Sequence, residues 1–297
     1  MLSIQTSKPF NFSISKRITL STSYLLNLIP DYPYKMLYPR IIPCLLVHNK
    51  GLVKTTKFKD PKYVGDPINA VKIFNEKEVD ELIVVDIDAS REGREPDYKM
   101  IENLATECRM PLCYGGGIKT VEQAQKIFSL GVEKIAVSSA AIENPSMITE
   151  MAERVGNQSV VIVLDVKKKT LSGKYELYTL NGTKATGIDP VSFAMKMQKL
   201  GAGEIVVNSI DQDGVMKGYD MNLINKIREV ISIPITVMGG AGTLDDIGSV
   251  IQQHGIIGVA AGSLFVFKGK YRAVLISYPT AIEKTALLEK HFLSKYA

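Results

Sequence analysis

Two short glycine runs carry the first chemistry visible in this sequence. Gly115-Gly116-Gly117 and Gly239-Gly240-Ala241-Gly242 each close an apolar run and lead towards a helix-patterned segment. Glycine lets an oxyanion approach backbone N–H groups closely. Each run has a small hydroxyl-bearing companion further along, Ser138-Ser139-Ala140-Ala141 and Ala261-Gly262-Ser263. These also lead into a helix or helical turn, whose N-terminus attracts anions. The bland alternative is that the glycines only make tight turns. Two copies, each with its serine-bearing companion, favour phosphate binding instead. An elongated ligand with a phosphate at each end fits, and so do two separate anions.

The elements that hold these loops repeat. Near-continuous apolar runs predict parallel strands at Arg40–Val47, Glu81–Asp88, Pro111–Gly117, Lys134–Ser139, Val160–Lys167, Glu204–Ile210, Pro234–Gly240 and Gly258–Phe265, each buried on both faces. Amphipathic helices separate them. Asp66-Pro67, Asn144-Pro145 and Asp189-Pro190 each place an N-cap before an N1 proline, and Thr120, Asp220 and Thr243 cap three more. A last helix is expected over about Thr280–Tyr296. Eight strand–helix units predict an α/β chain folded as a single (β/α)8 barrel, with both glycine runs on its catalytic face. Asp66-Pro67 recurs as Asp189-Pro190, Glu81 as Glu204, Asp88 as Asp211, and Pro111–Thr120 as Pro234–Thr243, always at an offset of 123. The repeat is half a barrel, and neither half closes a sheet alone.

Composition bounds the rest. The 297 residues are 45% apolar and 23% charged, which is globular and excludes disorder or a collagen-like chain. Residues 1–35 hold Lys8, Lys16, Arg17 and Lys35 against Asp31, so they carry +3 of the net +5. The remaining +2 argues against a nucleic-acid partner. No apolar run is long enough to span a bilayer. Cys44, Cys108 and Cys113 cannot build a secreted disulfide framework and suit a reduced cytoplasm. Three cysteines and three histidines without metal-ligand spacing point away from zinc, and no metal or other cofactor is expected. Residues 1–35, rich in Ser, Thr and base, read as an extension preceding the barrel of residues 36–297. A mis-assigned start before Met36 is the favoured reading; a targeting segment or disordered tail are the alternatives.

Arg40-Ile-Ile-Pro-Cys-Leu45, Val64-Gly-Asp-Pro67, Glu81-Leu-Ile-Val-Val-Asp86, Gly115-Gly-Gly-Ile118, Leu164-Asp-Val-Lys167, Gly201-Ala-Gly-Glu204, Ser209-Ile-Asp-Gln-Asp-Gly214 and Gly239-Gly-Ala-Gly242 resemble the cyclase subunit, HisF, of imidazole glycerol phosphate synthase. The resemblance runs from Met36 to about Phe267. It implies a (β/α)8 barrel with a glutaminase (HisH-like) partner at its N-terminal face and ammonia passing through the barrel. At the far end ammonia attacks a bis-phosphorylated ribulosyl-formimino nucleotide, giving imidazole glycerol phosphate and an aminoimidazole carboxamide ribotide. The implied phosphate-binding residues are Gly116, Gly117, Ser138, Ser139, Asp213, Gly214, Gly239, Gly240, Gly262 and Ser263, with Lys54 as the lysine of the first loop. Without the resemblance, Lys54 would read as one of five solvated lysines (Lys50, Lys54, Lys57, Lys59, Lys62) in a mobile loop. The implied ammonia gate is Arg40, Glu81, Lys134 and Glu204. Each begins a strand, and four charges at an apolar mouth are costly unless paired. A salt-bridge plug is the bland reading, and a polar gate the functional one. The conduit reading rests on an open floor and a closed barrel: a sealed floor, or strands that fail to close around one axis, would overturn it.

The departures fall at the other end. The resemblance places two aspartates as general acid and base. Asp165 is one; the other position holds Leu46, which can neither give nor take a proton. Ser138 stands for an asparagine, Gln212 for an arginine and Val215 for a threonine. Asp86, Asp88 and Asp211 are candidate substitutes for the lost partner, although strand-end aspartates are also frequent N-caps. An intact entrance beside a damaged acid–base pair resembles the HisF-like paralogue of acetamidino-sugar synthesis in surface-polysaccharide pathways. Cys44-Leu-Leu-Val-His-Asn49, Pro111-Leu-Cys-Tyr114 and Phe265–Pro279 carry that likeness. It implies ammonia supplied to a separate sugar amidotransferase, with a phosphorylated small molecule in the cradles. The alternatives are a working cyclase of histidine biosynthesis and a non-catalytic scaffold for the glutaminase.

Overall fold

The eight apolar runs become eight parallel strands: β1 (Arg40–His48), β2 (Leu82–Asp86), β3 (Leu112–Gly115), β4 (Lys134–Val137), β5 (Val160–Lys168), β6 (Glu204–Ser209), β7 (Ile235–Met238) and β8 (Gly258–Ala261). They pair in chain order and β8 pairs back onto β1, so the sheet closes into a (β/α)8 barrel. The computed structural model describes residues 37–170 and 172–295. The expectation for residues 1–35 lies outside them.

Alternation along each strand sorts its side chains into two layers. Ile42, Cys44, Ile83, Cys113, Ala136, Val161, Val206 and Ala260 form a cluster lining the barrel axis. Their neighbours Ile41, Leu45, Val84, Leu112, Ile135, Ile162, Ile205 and Val259 belong to the larger layer beneath the helices. Burial on both faces is why these strands are apolar without a break.

The helices are α1 (Pro67–Glu76), α2 (Tyr98–Glu107), α3 (Val121–Ser129), α4 (Met147–Val155), α5 (Pro190–Lys199), α6 (Met221–Arg228), α7 (Leu244–His254) and α8 (Ala281–His291). Their caps repeat with the half-barrel. Asp66 and Asp189 cap α1 and α5, Asp97 and Asp220 cap α2 and α6, and Thr120 and Thr243 close capping boxes on α3 and α7. Each side chain accepts from a backbone N–H that the first turn leaves unpaired. Helix α4 departs from expectation: its N-cap is Ser146, without a side-chain cap bond, and Asn144 instead accepts from Ser146 Oγ at 2.7 Å.

Two further expectations are corrected. The eighth strand ends at Ala261, and Ser263–Val266 is a helical turn. Phe265 and Val266 are buried there, and a short apolar run reads alike as strand or buried helix. The segment after β1 is an ordered hairpin, Gly51–Thr56 against Lys59–Gly65. A second hairpin strand, Tyr175–Thr179, pairs with the end of β5. Beyond the last helical turn, Phe267–Lys268 pairs with Ala273–Val274. The chain then returns beneath the barrel, where Tyr278 OH donates to Ile41 O at 2.8 Å and Lys284 pairs with Asp80. Helix α8 stops at His291, and Tyr296 lies outside the described residues. Among the described residues no helix is long and apolar enough to cross a membrane.

Candidate functional site

One cavity opens where the strands end and runs down the barrel axis. It brings together Leu46, Lys54, Asp165 and every glycine, serine and aspartate predicted as a phosphate ligand, including Gly116, Ser138, Asp213, Gly240 and Ser263. Its deeper wall is apolar: Val85, Val163 and Met238, then Ile83, Cys113, Ala136 and Val206. Burial pushes the Cys44 thiol up to about 11 and the Cys113 thiol well above the usual range. Both are inert wall residues rather than nucleophiles.

The two glycine loops are equivalent in detail. A Cβ on Gly116 would lie 2.4 Å from Asp86 O, and one on Gly239 would lie 2.7 Å from Ser209 O. Asp86 and Ser209 are themselves 123 residues apart. Both glycines have positive φ, +120° and +89°. A side chain at Gly116 therefore meets the neighbouring strand's backbone. The N–H of Gly117 is held by Ser90 Oγ at 3.2 Å.

Lys54 is not a solvated loop lysine. The hairpin after β1 folds its side chain into the cavity, leaving it 5% exposed, where Nζ donates to Cys44 O at 2.5 Å. Burial lowers its pKa, against the pull of Cys44 and Asp213. Asp213 fixes the hairpin in turn, accepting from Thr55 Oγ1 at 2.7 Å and Phe58 N at 3.1 Å. A Cβ on Gly214 would lie 2.1 Å from Thr55 O, so only glycine lets the two loops meet. The other lysines of this segment, at 50, 57, 59 and 62, do face solvent.

Asp165 ends β5 on the cavity wall. Its Oδ2 accepts from Ser138 Oγ at 3.2 Å and its Oδ1 from Asn208 Nδ2 at 2.8 Å. Burial pushes the carboxyl up to about 6, and the two hydrogen bonds only partly oppose it. A carboxyl near neutrality is poised to hold or release a proton. Asn208 was missed by sequence reasoning. It follows the apolar run Ile205–Val207 of β6 and is 6% exposed, with a buried Oδ1 that lacks a hydrogen-bond partner among the described residues. The proposed substitutes are committed elsewhere: Asp88 binds His48 Nδ1 and Asn49 N, and Asp211 accepts from Lys168 N. Asp86 lines the cavity but accepts from Asp88 N and Ala89 N.

The barrel floor is a closed ring. Arg40 pairs with Glu81 and, at 2.6 Å, with Glu204; Lys134 reaches Glu81 at 3.0 Å and Glu204 at 2.9 Å. Each cation bridges both acids. Although burial opposes it, Arg40 and Lys134 hold the Glu204 carboxyl below its ordinary value, while Lys134 is raised by Glu204 and Glu81. Thr236, also missed, donates to Glu204 Oε1 at 2.6 Å and sits 3.3 Å from Arg40 Nη2. Gly258 makes room for this, since a Cβ there would meet Thr236 Oγ1 at 1.9 Å. The cavity stops above the ring and none of the four charges lines it. The floor is therefore shut in this structure. A closed, fully paired ring is the geometry of the salt-bridge plug and counts against an open conduit at this end.

The family model described as histidine biosynthesis protein matches residues 40–272. A relative from Vibrio vulnificus is 61% identical over 256 residues, covering 86% of this chain and 98% of its own. It is provisionally named subunit hisF3 of imidazole glycerol phosphate synthase. One from Leptospira interrogans, provisionally named the HisF subunit, is 60% identical over 85% of this chain and 99% of its own. A Pseudomonas aeruginosa relative, provisionally named subunit hisF2, is 53% identical over 82% of this chain and 97% of its own.

Proposed function

Because this chain belongs to the histidine biosynthesis protein family and is a HisF-like barrel, we propose that it accepts ammonia from a glutaminase partner and passes it to another enzyme rather than closing an imidazole ring. Leu46 carries this reading: it stands in the cavity with Asp165, yet cannot exchange a proton. All four residues of the implied gate are kept at the other end, but they form a closed ring, so ammonia entry requires that ring to part. The glutaminase docks at the floor, and its docking parts one cation from the ring.

An apolar shaft suits the cargo. Neutral ammonia crosses Cys113, Ile83 and Val206 without the desolvation cost that ammonium would meet, and exclusion of water keeps it nucleophilic. At the mouth, Asp165 orients a bound ligand or relays a proton without the partner that Leu46 replaces. The glycine and serine loops with Lys54 hold a phosphorylated ligand. The acceptor is an activated sugar whose acetamido group becomes an acetamidino group on a separate sugar amidotransferase, in surface-polysaccharide synthesis.

Reconstitution tests this. The barrel, its glutaminase and the sugar amidotransferase together should convert glutamine nitrogen into amidinated sugar, and omission of the barrel should abolish transfer. No stimulation of either partner would remove the reading. A working cyclase of histidine biosynthesis is the second reading, favoured by all the predicted phosphate residues meeting in one cavity beside Asp165. Rescue of a histidine auxotroph lacking its cyclase would establish it.

A further inference from the structure

One surface beside the mouth combines charge with bare apolar side chains. It is built by the hairpin after β1 and by the hairpin Phe267–Lys268/Ala273–Val274. The two are neighbours: Lys62 Nζ and the Arg272 guanidinium both lie over the Phe267 ring, at 5.2 and 4.7 Å. Arg272 Nη2 also reaches Gly214 O at 3.5 Å, on the loop that pins the first hairpin. Within the two hairpins Lys57, Lys59, Lys62, Lys268, Lys270 and Arg272 stand against Asp60 alone, with Glu283 of α8 near Lys268. Since residues 36–297 carry only +2 in total, the rest of the barrel is net negative and positive charge is concentrated here. None of the six makes an ion pair among the described residues. Between them Tyr271 is 90% and Tyr63 66% exposed, and Val274 and Leu275 are also bare.

We propose that this surface docks an acidic protein face, belonging to the enzyme that takes nitrogen from the barrel; the inference rests on the delivery reading above. Two features favour protein over other polyanions. Bare tyrosines among cations match the anchors of protein interfaces, where aromatic and arginine side chains carry most of the binding energy. A nucleic acid would neutralise the lysines and leave Leu275 and Val274 in water. The position also matters. The strand that carries Lys54 into the cavity belongs to the first hairpin, so a body seated on both hairpins covers the exit. A folded protein there excludes water from the emerging ammonia, which a hydrated lipid headgroup layer does not.

The test uses the full-length barrel bound to its glutaminase, titrated with the sugar amidotransferase at about 50 and about 300 mM salt. Wild-type affinity should fall as salt rises. The combined Lys62→Glu, Lys268→Glu and Lys270→Glu variant should bind at least about tenfold more weakly, and Tyr271→Ala several-fold more weakly. Glutaminase stimulation, read at the opposite end, should be unchanged and reports that the variants fold. Equal affinity of variant and wild type, with transfer intact, overturns the docking surface and leaves delivery standing. Absence of both binding and transfer in the wild type overturns delivery itself. Charge-sensitive binding to anionic phosphatidylglycerol vesicles or duplex DNA, without any effect on the amidotransferase, also overturns the protein-partner assignment.

Discussion

Leu46 and Asp165 face one cavity from β1 and β5, strands on opposite sides of the closed sheet, and only Asp165 can carry a proton. The carboxyl is raised by burial while Asn208 and Ser138 hold its two oxygens. Charge at this point costs the fold stability that an ordinary surface aspartate would not.

Asp165→Asn should therefore stabilise the protein at neutral pH. The folded carboxyl titrates at about 6 against an ordinary 3.8, so the folded state binds the proton more tightly. Wild-type stability falls as pH rises through that window and levels off above it. The variant should gain at most about 3 kcal/mol at pH ~7.5 and nothing below pH ~4. Thermal melts across pH measure this; a Tm difference that does not vary with pH contradicts the buried titration.

Lys134→Ala should damage both stability and coupling. It leaves Glu81 and Glu204 sharing Arg40 alone, and breaking a buried pair costs about 3–5 kcal/mol. Glu204 is held below its ordinary value, so its contribution is present above the usual carboxylate range and lost as pH falls through the folded value. Acid should consequently weaken wild type more than the variant. With the glutaminase bound, more glutamine should be hydrolysed per nitrogen transferred, measured as free ammonia.

Gly258→Ala should disturb the same ring without removing a charge. The new methyl meets Thr236 Oγ1 and crowds Arg40 Nη2. Loss of about 1–3 kcal/mol by overpacking is expected, and Thr236→Ala, which removes the Oγ1 that the new methyl meets, should recover part of it. Denaturant midpoints of the single and double variants report the coupling.

Leu46→Asp should return an acid–base pair to the mouth. A second carboxyl raises the cost of charging both, so one of the two should titrate above 6. Imidazole glycerol phosphate formation, assayed directly, should appear in this variant and be absent from wild type. Activity in wild type would place the chemistry elsewhere than in this pair.

Much of the frame was legible because burial on both faces leaves apolar runs, and because polar residues that begin such runs, such as Glu81 and Glu204, stand out. The half-barrel repeat located both glycine loops. Tertiary packing hid the rest. Lys54 could be read as solvated because only docking of Asp213 on the hairpin carries it inward. Asn208 and Thr236 look like ordinary strand residues until side chains of neighbouring strands converge on them. Gly258 likewise has no local signature, since what it avoids lies on β7 and β1. Ser263–Val266 reads as strand because burial, not backbone geometry, sets its composition.

The alternation of β1 links the two ends of the molecule. Arg40, Ile42, Cys44 and Leu46 share one face, so deleting any single residue between Arg40 and Leu46 would turn one end of that column outward and seat its neighbour in its place. Evolution can thus change the occupant of either terminus without moving the column, at Arg40 only against the loss of its buried pairs, but it can lengthen or shorten the staff that joins them only in steps of two.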